Sequence, residues 1–256
     1  MDQVEGNWPD PVYAHVPLIH GPDGAKMSKR HGAVGVEGYR DEEGVLPEAL
    51  FNYLLRLGWG HGDREEITKS EAIELFDLDG VGKGPARFDI KKLQNLNGHY
   101  IREADDARLA KIVAARMERR DDLDLLTQAM PVLKTRAKSI NELVEGAAFL
   151  FAERPLEMTD KAAGLLDDEA RQRLAGLSEM LHVQNDWTSE ALEATTKSYA
   201  EKLELGLGKL AQPMRAALTG TTTSPGIFDV LVLLGKEESL LRIDAQASPT
   251  GTEEND

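Results

Sequence analysis

The chain of 256 residues contains no cysteine. Disulfide bonds, thiolate catalysis and the usual zinc sites built on cysteine pairs are therefore excluded. The six histidines show no metal-ligand spacing and have no serine companion at a diagnostic distance along the chain. We therefore expect no metal bound by the protein itself, and no zinc.

Long apolar segments are also missing, since no run approaches the roughly 20 residues that a membrane helix needs. Residues 1–6 have neither a basic cluster before an apolar stretch nor an arginine-rich amphipathic pattern, so no export or organelle signal is visible. We therefore expect a cytoplasmic protein that does not bind membranes. No repeat of fixed period is present, which argues against a solenoid.

Positive charge is scarce overall. The formal net charge of -15 argues against nonspecific attraction to polyanions, so DNA is not expected as a partner. The charge is uneven, however, because residues 81–120 carry ten Lys and Arg against five Asp and Glu. An acidic protein with one basic face is the expected result.

The beginning of the chain predicts extended structure. Residues 12–19 alternate β-branched and aromatic positions and predict a strand, which a Gly-Pro-Asp-Gly turn at 21–24 closes. A helix is expected from residue 46, with Pro47 in its first turn and Gly58 as its stop. A second helix is expected at Thr68, which forms a capping-box pattern with the glutamate three residues later.

Nearly everything after residue 85 has helical periodicity. Breaks are expected at Pro131, at Pro155, at 186–187 and at 206–208. Two of the later helices are expected over 203–218 and 227–234, joined by a turn-rich connection. The small, acidic residues 245–256 are predicted to be disordered.

The segment 21–32 carries the clearest chemical signal, because Lys26, Lys29, Arg30 and His31 are clustered between glycines. A mobile loop with ammonium and guanidinium groups suits a polyphosphate that gains charge during a reaction. A solvated basic loop would have the same composition, and residue types alone leave both interpretations open.

The exact pentapeptide Lys-Met-Ser-Lys-Arg at 26–30 resembles the second signature loop of class I aminoacyl-tRNA synthetases, and its surroundings resemble the bacterial-type glutamyl-tRNA synthetases. The resemblance continues through further blocks, at 47–59, 88–93, 96–101, 225–230 and 233–237. Asn95 is one departure, since many members have tryptophan there. A His-Ile-Gly-His-like signature is absent from the chain, so only the carboxy-terminal part of such an enzyme is expected.

The resemblance implies a mainly α fold, in which the end of a class I catalytic domain is followed by an all-helical anticodon-binding region. The expected divisions are the last strand and signature loop (1–35), a region that contacts the tRNA stem (36–105), two helical anticodon-binding subdomains (106–165 and 166–244) and a disordered tail (245–256).

The resemblance also implies an ATP site in the loop. Lys29 is expected to contact the nucleotide phosphates, while Lys26 and Ser28 shape the loop, and these three are the catalytic candidates. Met27 and Arg30 complete the expected ATP-binding set. Magnesium and glutamate are expected ligands of the complete enzyme, which is expected to be monomeric.

Transfer RNA is the expected macromolecular partner. The segment 133–139 has three basic residues and no acid, and by family analogy it lies near where the third anticodon base is inspected. The candidate tRNA contacts are Lys134, Arg136, Lys138, Lys91 and Lys92. The resemblance implies that tRNA(Glu) is the expected partner, and whether tRNA(Gln) is also accepted stays open. Trp8, Trp59 and Trp187 are possible stacking platforms, although Trp59 is expected to be structural.

The leading interpretation is therefore a part of a glutamate–tRNA ligase, an ATP-dependent enzyme that attaches glutamate to tRNA; this part alone is expected to be inactive. The alternative is a free-standing tRNA-binding or protein-docking module without catalysis. The glutaminyl enzymes end in β-barrels, whereas residues 128–241 are helical by period. The short paralogue that modifies a queuosine-containing tRNA keeps the opposite half.

Overall fold

The computed structural model describes residues 10–27 and 35–247. Within these ranges there are twelve α-helices and two short strands, so the predicted mainly α class is confirmed. Contacts group the chain into two compact units. The first consists of the residues up to 103 together with 138–140, and the second of 104–137 together with the residues from 141 onward.

The first unit contains both strands, β1 (Ile19–His20) and β2 (Ala86–Arg87). Its helices are α1 (Val36–Asp41), α2 (Pro47–Gly58), α3 (Lys69–Leu75) and α4 (Ile90–Glu103). The predicted start and stop of α2 are confirmed. The capping box before α3 is also confirmed, because Glu71 N donates to Thr68 Oγ1 (3.2 Å) and Thr68 N donates to Glu71 Oε2 (2.9 Å).

The predicted strand over 12–19 is wrong for all but its last residue. Only Ile19–His20 forms a strand, which pairs in parallel with β2 in the register Ile19 to Ala86. Val12 and Tyr13 are 78% and 81% exposed and have no partner strand among the described residues. Alternating apolar residues form a strand only where a neighbouring strand accepts their backbone hydrogen bonds.

A buried asparagine organises the first unit. Asn97 is fully buried; its Oδ1 accepts from Leu46 N (2.8 Å), and its Nδ2 donates to Gly44 O (3.2 Å) and to Lys138 O (2.7 Å). Ile140 N also donates to Gly44 O (2.9 Å). These bonds explain why residues 138–140 belong to this unit, and they satisfy backbone groups whose burial without partners would each cost about 1–3 kcal/mol.

The remaining helices are α5 (Asp106–Arg116), α6 (Leu123–Leu133), α7 (Ile140–Ala147), α8 (Asp160–Ala163), α9 (Asp168–Val183), α10 (Ser189–Lys202), α11 (Gly208–Thr219) and α12 (Ile227–Ala247). In the second unit α9, α11 and α12 share a hydrophobic core. Leu174, Leu177 and Leu181, spaced along one face of α9, are fully buried in it.

Three predicted boundaries in the helical region are wrong. Pro131 does not break a helix, because it lies in the last turns of α6, which ends two residues later. The helix predicted over 203–218 begins only at Gly208, since Glu204 adopts a φ of 54° after α10. The tail predicted to start at 245 is helical through Ala247; the rest of it lies outside the described residues.

A buried arginine links separate helical segments of the second unit. The Arg242 side chain is 2% exposed, and its guanidinium donates to Glu238 Oε1 (2.7 Å), Phe149 O (2.9 Å), Leu218 O (2.7 Å) and Ala152 O (2.9 Å). The planar guanidinium group, with its fixed N–H donors, thus satisfies backbone carbonyls at the ends of two other helical segments. No local pattern in the sequence predicts this role.

Candidate functional site

Lys26, the first residue of the signature pentapeptide, lies at the end of a short hairpin after β1. Met27 N donates to Ile19 O (3.0 Å), and Lys26 forms an antiparallel bridge with His20. The turn contains Gly24 at a φ of 80°, a left-handed conformation that favours glycine. The backbone is therefore anchored to β1 directly before residues 28–34.

Lys26 and Met27 line a cavity of about 430 Å³, which we call the loop cavity. Its other walls are apolar or aromatic and come from Pro17, Leu18, Ile19, Val36, Tyr39, Leu50, Leu54 and Phe88. Because Lys26 is exposed, the cavity combines an ammonium group with apolar walls. Such a lining suits a ligand that has both an aromatic ring and an anionic group. The predicted ATP contacts Ser28, Lys29 and Arg30, with His31, lie outside the described residues.

A second cavity, of about 490 Å³, concentrates positive charge in the first unit, and we call it the basic cleft. Its lining includes Arg56, Arg87, Lys92, His99 and Arg102, as well as the carboxylates Glu65 and Glu66. Arg56 pairs with Glu65 (3.5 Å), and His99 lies 3.3 Å from Glu66. Arg87, Lys92 and Arg102 are exposed, and none of the three pairs with a carboxylate of the described ranges. These cations remain accessible to an anion.

The start of α4 fixes the predicted tRNA contacts Lys91 and Lys92. Asp89 Oδ1 accepts from the backbone N of Lys91 (2.9 Å) and of Lys92 (3.3 Å), as a helix cap does. Tyr53 Oη in turn donates to Asp89 O (3.0 Å) and accepts from Asp89 N (2.6 Å). Burial has the largest effect and raises the Tyr53 pKa; the hydrogen bond with the Asp89 backbone opposes this rise, and the charge of Asp89 adds to it. Both lysine side chains are exposed beside a rigid helix start.

Lys134 differs from the other predicted tRNA contacts because its ammonium is already engaged. Its Nζ lies 2.5 Å from Asp106 Oδ1 and donates to Ala104 O (3.1 Å). The side chain is only 19% exposed. These contacts tie the end of α6 to the start of α5, which is a structural role.

Lys138 belongs to the first unit and is held by the residue that departs from the family pattern. Its Nζ donates to Asn95 Oδ1 (2.9 Å), and its carbonyl accepts from Asn97. Lys138 is exposed despite this bond, which is to a neutral partner. The predicted segment 133–139 is therefore divided: Lys134 and Arg136 belong to the second unit, and Lys138 to the first.

Arg136 lies exposed in the turn after α6, and its charge acts on a second arginine, which sequence reasoning missed. The pKa of Arg215, on α11, is lowered by burial first and by the positive charge of Arg136 second. Arg215 Nε donates to Ser224 Oγ (2.8 Å), a neutral acceptor. Arg136 and Arg215 thus carry like charges that influence each other, and neither forms a salt bridge in the part of the chain that the structure describes. We call them the arginine pair.

The tryptophans that the structure describes have structural contacts. Trp59 is buried, and its Nε1 donates to Asp77 O (2.9 Å). Trp187 packs against the core of the second unit and donates to Leu231 O (2.9 Å), with Lys236 Nζ 5.9 Å from its ring centre. The structural expectation for Trp59 is confirmed, whereas Trp8 lies outside the described residues.

Two family models match the chain in succession. Residues 5–95 match the catalytic domain of class I tRNA synthetases (E and Q), and residues 98–247 match the anticodon-binding domain. The second match covers more than half of the 256 residues. The chain belongs to the anticodon-binding domain family.

Relatives of this anticodon-binding family member carry the name glutamate–tRNA ligase. The chain is 77% identical over 249 residues to glutamate–tRNA ligase 1 of Erythrobacter litoralis, a match that covers 97% of the chain and 52% of the relative. It is 64% identical over 255 residues to glutamate–tRNA ligase 2 of Novosphingobium aromaticivorans, with 97% and 52% covered. The resemblance to the bacterial-type glutamyl-tRNA synthetases is therefore confirmed.

Solved structures agree with this assignment. The crystal structure of a glutamate tRNA ligase from Elizabethkingia meningosepticum in complex with its amino acid is similar to this chain at a TM-score of 0.80 and 28% identity. The match covers 94% of this chain and 52% of that one. The chain thus spans about half the length of the curated relatives and of the solved structure that it matches.

Membrane-spanning helices and metal-ligand clusters are both absent from residues 10–27 and 35–247. No helix of residues 10–27 and 35–247 is long and apolar enough to cross a membrane. Across these residues, no group of three or more histidine, aspartate and glutamate side chains could hold a metal ion. The candidate sites of this family member are therefore the loop cavity, the basic cleft and the arginine pair.

Sequence reasoning missed three cations of these sites that form no salt bridge among the described residues. Arg87 and Arg102 lie within the basic stretch 81–120, so local charge density points to them without distinguishing them from their neighbours. Arg215 lies in a stretch without comparable charge, and only the packing of α11 brings it to Arg136. No signal in the sequence identifies it.

Proposed function

We propose that this chain is the part of a glutamate–tRNA ligase that binds tRNA and carries the ATP-handling loop. The observation that carries the proposal is the succession along the chain of a class I catalytic-domain match and an anticodon-binding-domain match. The names of the close relatives support it, and the arginine pair, Arg136 and Arg215, lies in the anticodon-binding family region. The complete ligase would attach glutamate to tRNA(Glu) with ATP, as a monomer in the cytoplasm.

The arginine pair suits recognition of RNA for an electrostatic reason. Two guanidinium groups close together repel each other, and the burial of Arg215 removes part of the water that would screen them. A phosphate or the acceptor edge of a base would relieve this repulsion, and guanidinium is well suited to bidentate hydrogen bonds. Arg136 is therefore the residue that we propose reads an unstacked anticodon base, with Arg215 supporting it.

The basic cleft is the proposed contact for the tRNA backbone. Arg87, Lys92 and Arg102 are exposed along it, and Lys91 lies beside it at the start of α4. Contacts of this kind position an RNA without reading its sequence. Lys138 is proposed as a further contact, because it is an exposed cation of the same unit. Lys134 is not proposed as a tRNA contact, since Asp106 already neutralises its charge.

The loop cavity is the proposed nucleotide site. Lys26 and Met27 line it, and Ser28, Lys29 and Arg30 follow directly in the sequence. The apolar walls fit an adenine ring, and the lysine fits a phosphate. ATP, when bound, supplies the α-phosphate that the glutamate carboxylate attacks, with pyrophosphate as the leaving group. Lys29 would then stabilise the charge that grows on the leaving group.

Magnesium would come with the nucleotide. The described residues do not fit a metal site of their own, because their carboxylates and histidines form no group of three. Any Mg²⁺ in the complete ligase would then rest on the phosphates and on residues outside these ranges.

Filter binding with the chain and transcripts of tRNA(Glu) and tRNA(Gln) tests the tRNA part of the proposal. Salt-sensitive binding of tRNA(Glu) is expected, with loss of affinity between about 50 and 200 mM salt. Arg136→Gln should weaken it, whereas Lys202→Gln, which removes an exposed charge at the end of α10, should not. Equal effects of the two substitutions would contradict the proposed site. Comparison of the two tRNAs decides whether tRNA(Gln) is also accepted.

The alternative function is a free-standing tRNA-binding or protein-docking module without catalysis. The accessible cations of the basic cleft favour it as much as they favour the ligase. Glutamate-dependent ATP–pyrophosphate exchange separates the two when it is measured on the product of the complete natural reading frame. Exchange supports the ligase, and its absence together with retained tRNA binding supports the module.

A further inference from the structure

Two side chains of α4 fix Lys138 at both of its ends. Asn97 Nδ2 donates to the Lys138 carbonyl oxygen (2.7 Å), and Lys138 Nζ donates to Asn95 Oδ1 (2.9 Å). Asn97 is fully buried, so the first bond anchors the backbone, whereas Asn95 is exposed and the second bond orients the ammonium group at the surface. The first unit, to which Lys138 belongs, therefore determines where this cation lies.

Asn95 is also part of the wall of the basic cleft. It comes three residues after Lys92 and four before His99, which line the same cleft, so the three side chains share one face of α4. The Lys138 ammonium group, which is bonded to Asn95, therefore lies at the border of the cleft. Although Lys138 is 43 residues away from Asn95 in the sequence, folding adds its charge to those of the cleft.

An amide holds an ammonium group differently from a carboxylate. The amide of Asn95 has no net charge, so its bond orients the Lys138 side chain and does not itself neutralise the ammonium group. Lys134 shows the contrast, because its partner is the carboxylate of Asp106. A lysine side chain is a flexible four-carbon stem that loses rotamer freedom when it contacts a phosphate. A bond that orders the stem beforehand lowers this entropic cost of binding.

We propose that Asn95 is a positioning residue for RNA binding, which holds the Lys138 ammonium group at the cleft so that Lys138 and Lys92 contact the same short stretch of RNA backbone. The inference rests on the proposed function, in which the basic cleft binds tRNA, and it adds the residue that orients one of the contacts. Lys92 and Asn95 are neighbours one turn apart on α4, which brings the two lysines to one end of the cleft. Phosphate contacts do not read sequence, so the effect of Asn95 is the same for every tRNA.

A double-mutant cycle on the full chain of 256 residues tests whether Asn95 acts through Lys138. Asn95→Leu removes the acceptor, and filter binding of tRNA(Glu) measures the dissociation constant. We expect Asn95→Leu to weaken binding by about two- to tenfold in the parent chain. The same substitution should have no effect in a chain that already carries Lys138→Gln. An unrelated tRNA should lose affinity by the same factor as tRNA(Glu).

The matched control is Gln94→Leu, which replaces the neighbouring amide of α4 that lies outside the lining of the basic cleft. It should leave the affinity unchanged with and without Lys138→Gln. The salt dependence identifies Lys138 as a phosphate contact, because Lys138→Gln should lower the slope of log Kd against log salt by about one. Urea unfolding should give the same free energy of unfolding for Asn95→Leu and the parent, since Asn95 is exposed.

Chemical protection locates the contact independently of affinity. Lysines are acetylated with acetic anhydride in the presence and absence of saturating tRNA(Glu), and mass spectrometry reads the extent of reaction at each one. Lys92 and Lys138 should be protected in the parent chain, and in Asn95→Leu the protection of Lys138 alone should fall. Lys202, exposed at the end of α10, is the unprotected reference. Equal protection of Lys138 in the two chains would contradict the positioning role.

Three results of the binding assay would overturn the inference. A loss of affinity from Asn95→Leu that persists alongside Lys138→Gln would mean that Asn95 acts independently of Lys138. Unchanged affinity of Asn95→Leu would mean that the bond contributes nothing, and an equal loss for Gln94→Leu would mean that any apolar substitution here weakens binding. These results arise with tRNA binding intact and leave the proposed function standing. Absence of salt-sensitive tRNA binding by the parent chain would instead refute the proposed function, and this inference with it.

Discussion

Replacement of Arg136 by glutamine should raise the stability of the chain and lower its tRNA affinity. In the free protein Arg136 and Arg215 repel each other, and the substitution removes one of the two charges while keeping a long polar side chain. Arg136 is exposed, so the effect is screened by water, and we expect a gain of only about 0.2–1 kcal/mol in the free energy of unfolding. Added salt should shrink this gain because it screens exposed charges.

The expected loss in affinity is larger. An arginine that reads a base edge through two hydrogen bonds contributes about 1–3 kcal/mol of discrimination, which corresponds to about 5- to 150-fold in the dissociation constant. A pure phosphate contact would instead lower affinity similarly for every tRNA and reduce the salt slope by about one. The choice of tRNA therefore separates base reading from phosphate contact.

The assay combines urea unfolding, followed by circular dichroism, with filter binding of tRNA(Glu), of tRNA(Glu) carrying a changed third anticodon base, and of an unrelated tRNA. Lys202→Gln is the control in both measurements, since it also removes one exposed charge from the second unit. A variant that is less stable than the parent, or one that binds tRNA(Glu) as well as the parent does, would refute the role assigned to the arginine pair.

Three further substitutions have defined expectations. Asn97→Leu leaves buried donors and acceptors unpaired and should destabilise the first unit by about 3–6 kcal/mol in urea unfolding, and a loss below 1 kcal/mol would contradict the network. Lys134→Met should lower the free energy of unfolding by about 1–3 kcal/mol, because it leaves the Asp106 carboxylate without its cation. Filter binding of tRNA should hardly change. Unchanged stability together with weaker tRNA binding would instead make Lys134 an RNA contact. Lys29→Ala in the complete ligase should reduce glutamate-dependent ATP–pyrophosphate exchange far more than it reduces tRNA affinity. Equal losses of exchange and of affinity would contradict this expectation.

Predictions from the sequence succeeded where the signal was local. Pro47 and Gly58 bound α2, and Thr68 caps α3, because helix starts and stops depend on groups within one turn of the chain. The resemblance to the synthetases rested on the identity of the residues at 26–30 and in the later blocks, which requires no knowledge of packing. These features depend only on the order of the residues along the chain.

Predictions failed where the outcome depended on distant partners. Residues 12–18 have strand composition, yet only Ile19–His20 finds a second strand. The composition of a segment indicates that it could form a strand. It becomes one only where a second strand is present to hydrogen-bond with its backbone.

The contrast is sharpest among the basic residues. Lys134, Arg136 and Lys138 have the same charge and nearly the same position in the sequence, so their composition predicts a single tRNA-binding segment. Packing gives them different surroundings: Asp106 neutralises Lys134, Arg215 opposes Arg136, and Asn95 holds Lys138. The amino-acid order alone establishes the family and the helical elements, because both depend on residue identity and local periodicity. Which cations stay available to an RNA is established by the folded chain, because a charge is neutralised, repelled or left free by groups that only folding brings within a few ångströms.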